Sequence, residues 1–220
     1  MIDLKLCGLR TEADIDAAVG AGATHIGLVR FPPSPRHLRL VDAARLARHA
    51  ESSCRVVVVT VNADDGEIDQ IAEEVRPDLI QLHGKETPER ATTIRERTGI
   101  ATIKALAVRD PADLEKADAY RGTVNALLFD AKAPEGSTLP GGNGVSFDWT
   151  MLRDYDPAMP WFLAGGLTAD NLVDAVRQSG ARALDLSSGI EDAPGEKSAS
   201  RIAAVGEAVQ ALGAALSRVA

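Results

Sequence analysis

A thiol and a carboxyl are the side chains of this chain best suited to passing a proton. Cys7 closes a short apolar stretch and is followed directly by Gly8. A thiol abstracts a proton only as the thiolate, which requires nearby positive charge to lower its pKa. Side chains alternate along a strand, so Lys5 shares the face of Cys7. It is expected inside the fold, neutralised by a carboxylate such as Asp185 while adding to the field at the sulfur. Asp130 ends the apolar run Ala126-Leu127-Leu128-Phe129. A carboxyl so desolvated is expected to have a raised pKa and to act as a general acid; otherwise it caps the following loop through an Asx turn. Cys54, at the start of a strand, reads as a small buried hydrophobe.

Two short loops suit an anion. Gly165-Gly166 and Ser187-Ser188-Gly189 let backbone N–H groups approach a phosphate closely, each before a helix start. The plainer alternative is that the glycines turn the chain and the serines cap a helix. Arg36 follows Pro32-Pro33-Ser34-Pro35, whose prolines stiffen the approach. A guanidinium held in place there suits a carboxylate, the alternative being a solvated arginine. His83, two residues after Gln81, is either a polar lining residue or a satisfied interior histidine. No cluster of His, Cys, Asp and Glu has metal-ligand spacing, and this chemistry calls for no metal and no cofactor.

These residues need a scaffold that gathers them. Strand-like runs recur at Asp3–Cys7, Thr24–Val29, Arg55–Val61, Asp78–Leu82, Ala101–Ala107, Val124–Asp130, Trp161–Ala164 and Ala183–Leu186. Helical periods lie between them, for example Thr11–Ala21, Val41–Ala50, Glu67–Val75, Pro88–Arg97 and Ala169–Gln178, with a last long helix over Ser198–Val219. Thr11 with Asp14 makes an N-cap with an acid in the first turn. Uninterrupted strand–helix alternation of this kind predicts the α/β class and a closed (β/α)8 TIM barrel, a single domain over 1–220. The open doubly wound sheet is the rival, but Cys7-Gly8-Leu9-Arg10 is no dinucleotide fingerprint. In a barrel the site lies at the C-terminal ends of the strands. Cys7, His83, Asp130, Gly165-Gly166, Asp185 and Ser187 all fall there. Strands one and six stand three apart in the ring, so Cys7 and Asp130 should face each other across the mouth. The glycine-rich segment Ala131–Val145, with Gly136, Gly141, Gly142 and Gly144, has the length of a lid.

Composition narrows the class. The chain has 220 residues, 45% hydrophobic and 25% charged, with a net charge of -8. An acidic balance argues against nucleic acid as a partner. Two cysteines build no disulfide framework, which favours a reducing compartment. The opening MIDLKLCGLR lacks the apolar core of a signal peptide, and no run of apolar residues is long enough for a membrane span. A cytoplasmic protein is expected, acting on a small phosphorylated molecule, with no membrane partner, as a monomer or a homodimer.

The succession of motifs resembles the phosphoribosylanthranilate isomerases of tryptophan biosynthesis. It begins at Lys5-Leu6-Cys7-Gly8-Leu9 and continues through Pro32-Pro33-Ser34-Pro35-Arg36, Val61-Asn62, Gln81-Leu82-His83-Gly84 and Lys104-Ala105. It runs on through Leu128-Phe129-Asp130, Gly141-Gly142-Asn143-Gly144, Phe147-Asp148-Trp149, Leu163-Ala164-Gly165-Gly166-Leu167 and Asp185-Leu186-Ser187-Ser188-Gly189-Ile190-Glu191, then Pro194-Gly195 and Lys197. The resemblance implies that Cys7 is the general base, Asp130 the general acid and Arg36 the anchor for the anthranilate carboxylate. It places phosphate on Gly165-Gly166 and Ser187-Ser188-Gly189, and a mobile cover on Gly141–Gly144. It also implies an Amadori rearrangement: Asp130 protonates the ribose ring oxygen and opens the ring to a Schiff base, and Cys7 removes the C2' proton. Arg30, Asn143 and Ser198 depart from the family pattern, Arg30 where an aromatic beside the anthranilate ring is more usual.

Two other readings compete. The related isomerase of the histidine pathway uses an aspartate in place of Cys7 and needs a second phosphate site, which is not apparent in this sequence. A barrel that binds a sugar phosphate without turning it over would need a broken acid–base pair.

Overall fold

Short aliphatic, β-branched runs form eight parallel strands that close on themselves: β1 (Asp3–Cys7), β2 (His25–Arg30), β3 (Arg55–Thr60), β4 (Leu79–Leu82), β5 (Ala101–Val108), β6 (Ala126–Ala131), β7 (Trp161–Leu163) and β8 (Ala183–Leu186). The structure is a computed structural model that describes residues 2–132, 141, 144, 146–155 and 158–217. Each strand pairs with the next, and β1 pairs with β8 through the register Lys5 to Asp185, which makes the (β/α)8 barrel.

Alternation along the strands decides what faces the axis. Val57, Leu79, Ile103, Leu128, Phe162 and Ala183 belong to a small apolar cluster inside the barrel, with His25 edge-on to Phe162 at 5.3 Å between centroids. The intervening positions, including Leu4, Leu6, Ile26, Val58, Ile80 and Phe129, pack outward in the larger core under the helices. Every second residue therefore points along one wall, and the last inward residue of each strand arrives at the mouth. That is how Cys7, Gln81, Asp130 and Asp185 come to share one end.

The helices are α1 (Glu12–Gly20), α2 (Leu40–Ala50), α3 (Asp65–Gln70), α4 (Pro88–Thr98), α5 (Pro111–Glu115), α6 (Leu172–Ser179) and α7 (Ala199–Ser217). Thr11 and Asp14 close a capping box on α1, each side chain accepting from the other's backbone N–H. Thr87 caps α4 by accepting from Arg90 N, with Pro88 in the first turn where no N–H is needed. Ser198 precedes α7, and its carbonyl accepts from Ile202 N, a helix start away from the cavity lining.

Four details differ from the expected alternation. The third helix begins at Asp65, two residues before the predicted start, and finishes as a π-helical turn over Ile71–Val75. The short α5, followed by a 3-10 turn over Lys116–Tyr120, fills the connection after β5. Between β6 and β7 the described residues hold a 3-10 turn, Trp149–Leu152, and no α-helix. After β8 comes a 3-10 turn, Ser188–Ile190, then a hairpin of β9 (Glu191–Ala193) and β10 (Glu196–Lys197) across Pro194-Gly195.

Candidate active site

At the C-terminal mouth lies a cavity lined by residues from every strand of the ring, or the loop after it, except β5. Cys7, Arg36, His83, Asp130, Gly165, Gly166, Asp185, Ser187, Ser188 and Gly144 all line it. Gly189 does not line it: a Cβ there would collide with the carbonyl of Leu167, so only glycine lets the loop after β8 lie against the loop after β7. Gly142 and Asn143 lie outside the described residues, as does most of the glycine-rich segment. Arg30 is also absent from the lining; it donates to the Leu38 carbonyl and pairs with Glu67, so its departure from the family pattern is spent outside the cavity.

Cys7 is buried and sits with Val29, Val59 and Phe31 in an apolar corner. Burial pushes its thiol above the ordinary value; Lys5 and Lys197 pull it down and Asp185 pushes it up. The expectation of a lowered thiol pKa is therefore corrected, because loss of hydration outweighs the two ammonium groups. Lys5 lies inside the barrel as alternation requires, fully buried, and donates to Asp185 Oδ1 at 2.8 Å. Burial opposes its charge, but the Asp185 carboxylate, together with the Cys7 sulfur, overcomes that and leaves the ammonium pKa raised.

Across the mouth, Asp130 faces His83, with Nε2 3.4 Å from Oδ2. Gln81 Nε2 donates to His83 Nδ1 at 2.9 Å, which leaves the ring proton on Nε2, toward the carboxylate. His83 is thus a lining residue beside Asp130 rather than a satisfied interior one. Gln81 Oε1 is buried and has no partner among the described residues, so an acceptor stands next to the pair. Gly141 crosses over both: a Cβ there would fall 2.5 Å from Asp130 Oδ2 and 2.7 Å from His83 Nε2, so no larger residue could approach as closely. The His83 loop is held from outside the cavity. Lys104 Nζ donates to the carbonyls of Leu82 and Gly84 and to Glu86 Oε2, while Glu86 accepts from the N–H groups of Asn62 and Gly84.

Arg36 is buried rather than solvated. Its Nε and Nη2 donate to the two oxygens of Glu191 at 2.7 and 2.6 Å, so the plane of the fork is fixed. Glu191 Oε1 also accepts from Lys197 at 2.7 Å. Neither Glu191 nor Lys197 was singled out for a role from the sequence. The usable signal was the Pro194-Gly195 turn, which folds the chain back and sets both on one hairpin. Ser187 Oγ donates to the Cys7 carbonyl at 3.2 Å and caps no helix. The loop after β7 is shaped by Asn171, which accepts from Thr168 N and donates to the Gly166 carbonyl.

Comparison with known proteins places the chain among relatives. Residues 4–208 match the model of the N-(5'phosphoribosyl)anthranilate (PRA) isomerase family. An N-(5'-phosphoribosyl)anthranilate isomerase of Brucella canis is 50% identical over 196 residues, 89% of this chain and 88% of that one. The crystal structure of phosphoribosyl anthranilate isomerase from Thermotoga maritima has a TM-score of 0.86 at 32% identity, over 96% of this chain and 100% of that one. A further isomerase structure, in complex with reduced 1-(o-carboxyphenylamino)-1-deoxyribulose 5-phosphate, has a TM-score of 0.83 at 30% identity, over 96% of this chain and all 100% of that one. Barrel fold and matched sequence together assign the chain to the N-(5'-phosphoribosyl)anthranilate isomerase family.

Proposed function

We propose that this isomerase of tryptophan biosynthesis uses Cys7 as general base and Asp130 as general acid on N-(5'-phosphoribosyl)anthranilate. The observation that carries the reading is that both side chains line one cavity from strands three apart in the ring. Asp130 protonates the ribose ring oxygen, and the C1'–O bond breaks to leave a protonated Schiff base. Cys7, as thiolate, then takes the C2' proton, and the electrons of that C–H bond neutralise the iminium to give an enolamine. Tautomerisation gives 1-(2-carboxyphenylamino)-1-deoxyribulose 5-phosphate. The iminium also supplies the positive charge that a buried thiol lacks, so once the ring has opened the thiolate is favoured, its proton released to water.

Arg36, rigid and at the cavity wall, receives the anthranilate carboxylate, and the apolar corner of Val29, Val59 and Phe31 receives its ring. The phosphate is taken by the backbone of Gly165-Gly166 and Ser187-Ser188, with Gly189 setting the approach of the two loops. Asp185 acts through Lys5 at the base of the site. The ligand of the relative's complex, a carboxyphenylamino sugar phosphate, has the same three anchors of ring, carboxylate and phosphate. Both cysteines are unpaired and no described helix is long and apolar enough to cross a membrane, which fits the cytoplasm as the site of action.

The test is turnover followed by loss of anthranilate fluorescence. Cys7→Ser and Asp130→Asn are each expected to lower kcat at least ~10²-fold, with affinity for a phosphate ligand near normal. Near-normal kcat in either variant removes that residue from its role. Arg36→Ala is expected to raise KM chiefly, since it holds a group remote from the bond changes.

A further inference from the structure

The Lys197 ammonium is fully buried behind the lining residues Arg36 and Ser187, a costly place for a cation unless its partners are fixed. Its Nζ donates to the Ser187 carbonyl at 3.0 Å and to Glu191 Oε1 at 2.7 Å. Each partner leads to a different part of the site. Glu191 grips the Nε and Nη2 of Arg36, so Lys197 braces the fork from the far side of the carboxylate. Ser187 donates from its hydroxyl to the Cys7 carbonyl, so the same ammonium holds the loop after β8 against the end of β1. The hairpin that carries Lys197 is itself anchored, Arg10 Nη1 donating to the Gly195 carbonyl at 3.4 Å.

Gly8 makes room for this arrangement. Its φ is +79°, and a Cβ there would fall 2.6 Å from Arg36 Cδ and 3.3 Å from Lys197 Nζ. The chain leaves β1 in a left-handed turn that brings the arginine stem and the ammonium to the residue next to the thiol.

We propose that Lys197 is a positioning residue for the reaction, setting Arg36 through Glu191 and Cys7 through Ser187 from one buried cation. The hairpin after β8 thereby ties the carboxylate subsite, the base and one phosphate loop into a single unit. This rests on the roles given above to Cys7 and Arg36. The charged and titratable groups around the sulfur are Lys5 on β1, Asp185 on β8, Arg36 after β2, and Glu191 and Lys197 on the hairpin; Asp130 and His83 share the cavity. Among these, Lys197 adds to the charge that favours the thiolate, as Lys5 does.

The experiment compares Lys197→Met, Lys197→Gln and Glu191→Gln in a Cys54→Ser background, reading KM and kcat together with the pH midpoint of Cys7 alkylation by iodoacetamide. Lys197→Met is expected to raise KM about tenfold and to move the midpoint upward by at least ~0.5 pH unit. Glu191→Gln is expected to raise KM by a similar factor while the midpoint does not rise, because an anion rather than a cation has been removed. Lys197→Gln retains a donor for Ser187 but no charge, so KM returns toward normal and the midpoint stays raised. A midpoint unmoved in both lysine variants, or a KM unchanged in Lys197→Met, overturns the proposal; if Lys197→Met does not fold, the raised midpoint in Lys197→Gln must still appear. Alkylation reads the thiol without turnover, so a failure here is distinct from a Cys7→Ser variant that keeps its kcat.

Discussion

His83 Nε2 stands 3.4 Å from Asp130 Oδ2, and its other ring nitrogen is held by Gln81. The imidazole therefore presents a donor to the carboxyl with a fixed tautomer, and the Lys104–Glu86 pair keeps its loop in place. Such a neighbour aims the carboxyl rather than reacting itself. His83→Phe is expected to lower kcat about tenfold with little change in KM, and Gln81→Leu to do the same more weakly. Steady-state kinetics decide it: unchanged kcat in His83→Phe would make the contact incidental.

The thiol has its own pH signature. Burial raises the Cys7 pKa above its ordinary value of about 8.5, so in the free protein the group is neutral through the physiological range. In a Cys54→Ser background, the rate of alkylation at Cys7 should still be climbing at pH 9. A plateau reached below pH 8 would show that the lysines dominate burial after all.

Inside the barrel, the fully buried Lys5 pairs with Asp185, which lies at the floor of the cavity. Lys5→Met strands the carboxylate and is expected to cost about 3–5 kcal/mol of stability. Adding Asp185→Leu removes the stranded charge and should restore most of it. Urea unfolding of the two variants measures this directly, and a double variant no more stable than the single would contradict it.

Acid should weaken the loop after β4. Burial pushes the Glu86 carboxyl up, but Lys104 and the backbone N–H groups that bind it hold its pKa below the ordinary value. A depressed carboxyl pKa contributes stability that is present above the unfolded value of about 4.3 and is lost as pH falls through the folded value. Unfolding free energy measured from pH 6 to pH 3 should therefore fall less steeply in Glu86→Gln than in the parent. Equal slopes would mean that the carboxyl titrates alike in both states.

Much of this architecture was legible because strands at a barrel wall are short apolar runs with hard borders. Asp3–Cys7 and Ala183–Leu186 coincide with their predicted limits, since a polar residue or a glycine bounds each end. Alternation then placed Lys5 beside Asp185. What escaped was set by distance along the chain. Arg36 and Glu191 are 155 residues apart, and no local period reports that a fork near one end will meet a carboxylate near the other. The π-helical turn at Ile71–Val75 escaped because its composition is that of an ordinary helix. The raised thiol pKa could not be read either: the lysine neighbour was visible in the sequence, but the degree of burial was not.

Below Cys7 and Lys5 the barrel axis is filled mainly by the apolar side chains Val57, Ile103, Leu128 and Phe162, with His25 edge-on to Phe162. Hydrogen leaving the sulfur meets this largely apolar floor, and its open route is outward, past the bound sugar. On the proposed mechanism a covered mouth gives the isotope nowhere to wash out, so deuterium started at C2' should reappear at C1' of the product in a measurable share of turnovers.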